Sequence, residues 1–164
     1  MSGSATAAEV RVFALDALQA DHWLLFPEVL RRVGLFGLVD GHGAPHTMSE
    51  AMRQWTAVAR RERPGARVWV AVAAGVVVGH LVAEIARESD LLFANVAQYQ
   101  VDRGFAWSEA QRRLVLREIV AWAETFGVSE VRCTVRHPAL ARAFRTLGFV
   151  DTGRRVLVLE GGEA

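Results

Sequence analysis

The chain has 164 residues, 52% of them hydrophobic and 23% charged, with only four prolines; that is enough for one buried core and too apolar for a disordered or collagen-like polymer. Its nineteen basic side chains, every one an arginine, face eighteen acidic ones, and a formal charge of +1 excludes the basic footprint of a nucleic-acid binder. A single cysteine, Cys133, excludes an internal disulfide framework and suits a reducing compartment.

Met1 to Glu9 has neither a basic leader nor an apolar run, which predicts a flexible tail ahead of one domain over residues 10–160 and a cytoplasmic location. Arg11 to Leu15 alternates as a short strand, and Asp16 follows where a helix cap would sit. From Ala17 to Val33, Leu18, Trp23, Leu25, Phe26, Val29 and Leu30 recur at helical spacing, with Pro27 dividing the run. Gly34 to His46 holds four glycines and a proline and reads as a loop. His42, His46 and Asp40 in that loop suggest zinc, but no cysteine or further histidine stands in register, so no metal is assigned. Thr47 to Glu50 matches a capping box, and the helix it opens, with Met52, Trp55 and Val58 on one face, should end near Pro64-Gly65.

Val68 to Ile85 approaches the length of a membrane span but contains Gly75, Gly79, His80 and Glu84. Its Val-rich halves around Ala74-Gly75 predict two buried strands joined by a tight turn, so no membrane is expected as a partner. Leu91 to Val101 reads as the next strand. Ser108 to Gln111 is a second capping box, opening a helix with Val115, Ile119, Trp122, Ala123 and Phe126 on one face and Gly127 as its C-cap. Val131 to Val135 alternates around Cys133, read as a small buried residue. Pro138 opens a last helix with a Leu140, Phe144, Leu147 stripe, and Arg154 to Leu159 completes the sheet. Trp69 and Trp122 fit the core, while Trp107, beside a cap, is a candidate exposed anchor. The order predicts an α/β chain with a mixed sheet.

Three segments carry a family resemblance over Val10 to Leu159. Val76-Val77-Val78-Gly79 resembles the third strand of the GNAT N-acetyltransferases, Trp122-Ala123 with Gly127 resembles the tail of their long central helix, and Leu147-Gly148-Phe149 resembles their Leu-Gly-Phe signature. The resemblance implies a GNAT-like mixed sheet with helices on both faces, and an acyl-CoA-dependent N-acetyltransferase using acetyl-CoA. The acceptor would be a small-molecule or protein amine. The implied cofactor contacts are Val101 at the end of the fourth strand, Arg103 and Gly104 in the following loop, Ser108, Arg112 and Arg113 at the helix start, and His137, which stands where the family carries asparagine.

The sequence also departs from the family. Trp107, Glu109 and Gln111 replace glycines that would let the backbone approach a pyrophosphate, and the Glu109 carboxylate suits the positive helix end but repels phosphate. Phe144 stands where a proton-donating tyrosine is common and cannot donate. A base for the attacking amine must then come from Glu84, His80 or Asp102, of which Glu84 on the third strand is the choice. Tyr99, the one tyrosine, is the sole phenol available as acid. Asp102 itself fits a turn after the fourth strand. The eroded loop leaves open a second class, a catalytically silent GNAT-fold module for binding or assembly, such as a bacteriophage virion-associated protein, with a protein partner or a second copy of itself.

Overall fold

The computed structural model describes residues 9–16, 18–36, 47–135, 138–150 and 160–161. A six-stranded mixed sheet runs in sequential order: β1 (Val10–Ala14), β2 (Ala66–Ala73), β3 (Val76–Glu88), β4 (Leu91–Val101), β5 (Val131–Val135) and β6 (Glu160–Gly161). The first four strands pair antiparallel, whereas β4, β5 and β6 pair in parallel. The expected final strand, Arg154 to Leu159, lies outside the described residues, as do His42, His46, most of the expected loop and all of the N-terminal tail but Glu9.

Valines on one face of β2 and β3, and Trp69, Ala71, Val78 and Leu81 on the other, bury the hairpin at the sheet centre. Ala74 and Gly75 both take positive φ (49° and 80°), the backbone of a type I′ turn whose twist matches the strands. Two cores result, one on each face. Val68, Val70, Val72, Val77 and Val82 pack with Phe26, Val29 and Val58 of α1 (Phe26–Phe36) and α2 (Met48–Ala59). Trp69, Ala71, Leu81, Ala83 and Val96 pack with α3 (Glu109–Glu124) and α4 (Pro138–Thr146) through Val115, Ile119, Trp122, Ala141 and Phe144. Trp69, fully buried, donates from Nε1 to Glu118 Oε2 at 2.6 Å, so its one polar atom is satisfied.

Pro27 does divide its segment. A 3-10 turn over Ala20–Leu24 precedes α1, and Pro27 sits in the first turn of α1, where its missing N–H costs nothing. Asp16 closes the turn ahead, its Oδ1 accepting from Leu18 N–H at 3.0 Å. Because the chain before Pro27 is not α-helical, Leu18 and Trp23 fall off the expected stripe and stand exposed. α1 also runs to Phe36, into the segment expected to be loop. Among the described residues, no helix is long and apolar enough to cross a membrane.

Candidate active site

β4 and β5 begin paired and then part. Val96 opposite Cys133 is their last register pair, yet β4 continues to Val101. On its other edge the register with β3 jumps from Ala83–Val96 to Val82–Gln98, leaving Ala97 as an extra residue, a bulge where β5 departs. Ala94 N–H donates to Glu130 O on the β5 side, and Asp102 N–H donates to Val78 O on the β3 side. Strand alternation therefore turns the main-chain groups of Tyr99 and Val101 toward the gap, where no strand among the described residues meets them.

On the α3/α4 face the gap is closed by rings. Tyr99 meets Trp107 and Phe144 edge-on at 5.2 and 5.8 Å between centroids, and Phe144 meets Phe149 at 5.2 Å. The cavity left among them is about 20 Å³ and almost wholly apolar. Trp107 is 2% exposed, a correction to its reading as a surface anchor. It lies against Gly79, and a β-carbon there would come within 3.0 Å of Trp107 Nε1 and 2.8 Å of the Gln100 carbonyl. Arg112 folds inward, donating to the Trp107 carbonyl at 2.7 Å and holding a charge beside the Tyr99 hydroxyl. Burial of Tyr99 outweighs that charge, and its pKa lies above the ordinary value of 10.0.

The α1/α2 face of the same strands is polar. Cross-strand partners share a face, which puts His80 with Gln100, and Glu84 with Asn95, on the side of Val82. His80 is fully buried, its Nε2 is 3.1 Å from Gln98 Oε1, and burial holds its pKa below 6.5. Arg32 of α1 grips Asp102 with two bonds of 2.7 and 2.6 Å and Glu28 with a third of 2.7 Å. That pairing, first through its hydrogen bonds, keeps Asp102 ionised by lowering its pKa. Asp102 is thus an anchor for α1 as well as part of a turn.

Burial raises the Glu84 carboxyl above 4.5, against the opposing effects of a hydrogen bond from Asn95 and the charge of Arg63. The folded state then holds this proton more tightly than the unfolded chain, so the Glu84 contribution to stability is full below the unfolded pKa and falls as pH rises through the folded one. Glu84→Gln should therefore raise Tm at pH 7, with the gain shrinking below pH 4.5; thermal melts across that range check it.

No family model matches the sequence, and no curated protein does. Solved structures do. The chain is similar to glucosamine-6-phosphate N-acetyltransferase from Arabidopsis thaliana at 14% identity and a TM-score of 0.59, over 88% of this chain and 93% of that one. It is similar to a predicted acetyltransferase from Clostridium acetobutylicum solved with acetyl-CoA, at 10% identity and a TM-score of 0.58, over 88% and 92%. A GNAT-family acetyltransferase from Streptococcus pneumoniae aligns at 18% identity and a TM-score of 0.53, over 87% and 84%. The chain has the GNAT fold.

Within the GNAT fold the predicted site residues separate. Glu84 and Tyr99 lie on opposite faces of the sheet. Val101 ends β4 with its main chain turned to the gap, and Arg103 and Gly104 are exposed beyond it, Gly104 at φ 90° with open space around it. Ser108 is the N-cap of α3, and its oxygen accepts from Gln111 N–H at 3.1 Å while Gln111 Oε1 accepts from Ser108 N–H at 2.8 Å. Arg113 pairs with Glu109 at 2.7 Å and donates to the Thr146 carbonyl. His137 lies outside the described residues. Cys133 is buried and its thiol pushed up to about 12, so it is no nucleophile at neutral pH.

Sequence reasoning did not find Arg32 or Gln100. The local signal for Gln100 was present, because Gln98 and Gln100 alternate with apolar residues in one strand and must share a face.

An acyl-CoA fits one part of this site and not another. The open β4 edge offers N–H and C=O groups to an extended chain bearing amides. At the start of α3 the Ser108 and Gln111 N–H groups are already bonded to each other's side chains and Arg112 is held inward, so fewer donors remain there for a pyrophosphate.

Proposed function

We propose that the chain is an acyl-CoA-dependent N-acetyltransferase whose acceptor is an amine. The observation that carries this reading is the β4 edge from the bulge at Ala97 to Val101, which no described strand pairs, in a fold whose solved neighbours include an aminoglycoside N-acetyltransferase in complex with CoA. Acetyl-CoA, when bound, supplies an acyl carbonyl activated by its thioester. The main chain of Tyr99 and Val101 would hold the cofactor arm, with Arg103, Gly104, Ser108, Arg112, Arg113 and His137 around its phosphates. Glu84 Oε takes the proton of an amine arriving on the α1/α2 face. Tyr99 Oη, protonated through neutral pH by its raised pKa, would return a proton on the other face.

Calorimetric titration with acetyl-CoA, followed by an assay of free thiol release with a panel of primary amines, tests the reading. The spent donors at α3 set the expected Kd at about 100 μM or weaker, near −5.5 kcal/mol. Low-micromolar binding would show that the α3 start opens for phosphate. No saturable binding and no thiol release would overturn the enzyme reading and leave a binding or assembly module.

A further inference from the structure

β1 ends before β2 begins to need it. Ala14 is its last register pair, opposite Trp69, and Leu15 N–H donates to the Val68 carbonyl, so Ala66 and Arg67 extend past the edge that β1 covers. The uncovered corner is a cavity of about 250 Å³ between the C-terminal ends of α2 and α3. Trp122 and Phe126, edge-to-face at 5.7 Å, form one wall, and Arg61, Arg63 and Arg67 line it together with the Asp16 carboxylate.

The three guanidiniums are not equivalent. Arg61 is paired with Asp16, and the charge of Arg63 reaches Glu84. Arg67, half-buried, makes no side-chain hydrogen bond or ion pair among the described residues. Its planar fork of donors, turned to the cavity, matches a carboxylate or phosphate. The exposed carbonyls of the α3 end do not compete strongly, because Thr125 Oγ, Phe126 N–H and Val128 N–H already bond to them.

We propose that this corner is a second ligand site, taking an organic oxyanion, a carboxylate or a phosphate monoester, whose flat apolar body lies against Trp122 and Phe126 while Arg67 grips the oxygens. It is separate from the β4–β5 gap. The 16 residues of α3 put about 24 Å of helix between its capped start at Ser108 and this end.

Calorimetric titration of the full chain with phenyl phosphate, benzoate, inorganic phosphate and benzyl alcohol tests the site. Phenyl phosphate or benzoate should bind saturably and about tenfold tighter than both inorganic phosphate and benzyl alcohol, and whichever binds better identifies the oxyanion. Arg67→Gln should weaken that binding about tenfold or more, as loss of a charge-assisted pair requires, and leave acetyl-CoA affinity unchanged. Arg61→Gln, with circular dichroism on both variants, serves if Arg67→Gln does not fold. No saturable binding of either aromatic probe below about 10 mM overturns the proposal. So does binding that survives substitution at Arg67 and Arg61, or that inorganic phosphate matches.

Discussion

Gly79→Ala should destabilise the fold by about 3 kcal/mol, the upper end for overpacking, and lower Tm by roughly 6–12 °C at this chain length. The added methyl would stand 2.8 Å from the Gln100 carbonyl and 3.0 Å from Trp107 Nε1. The carbonyl belongs to β4 and is held in register with β3, so it cannot retreat without breaking the ladder. Trp107 is walled by Tyr99 and tied through its own carbonyl to Arg112. Gly65→Ala is the control. There the methyl meets only Ile85 Cβ at 4.0 Å, an ordinary contact, and the variant should be neutral or about 0.5 kcal/mol more stable. Urea melts of the two variants side by side decide it; equal stabilities would mean that Trp107 does not pack on Gly79.

Glu84→Gln should lower kcat/KM for amine acetylation by about 10²-fold or more, the scale of a lost general base. The amide keeps the shape of the side chain and its reach to Asn95 but cannot accept a proton from an ammonium. Wild-type activity should rise with pH through a value above 4.5, because the raised carboxyl must ionise before it can act, and the variant should lose that limb. The same substitution is the one expected to raise Tm at pH 7. A variant that is more stable and nearly inactive separates a functional carboxylate from a structural one, since a structural role would cost stability. Full activity with the pH limb intact would remove Glu84 as the base and turn attention to His80, on the same face of β3.

Much of the architecture was legible along the chain. The 74–75 turn, the Ser108 capping box and the Val115, Ile119, Trp122 face of α3 each depend on residues within a few positions of one another, where turn geometry, capping and periodicity act. The mixed sheet with helices on both faces followed from the GNAT resemblance and is observed. The stripe before Pro27 failed because helical spacing alone does not reveal that a segment will fold as a 3-10 turn.

The site was legible in its parts and not in its arrangement. The sequence by itself determined which strands carry Glu84, His80, Gln98 and Tyr99, because strand period and burial are local. Only the tertiary structure decided that Arg32 would close on Asp102, seventy residues away, that Trp107 would turn inward onto Gly79, and that Arg67 would lie beyond the end of β1 at the corner beside Trp122. Those outcomes depend on where the chain ends each element and which faces then meet. A charge or an indole has no preference among distant partners until packing brings one within reach, and no periodicity in the chain records that choice.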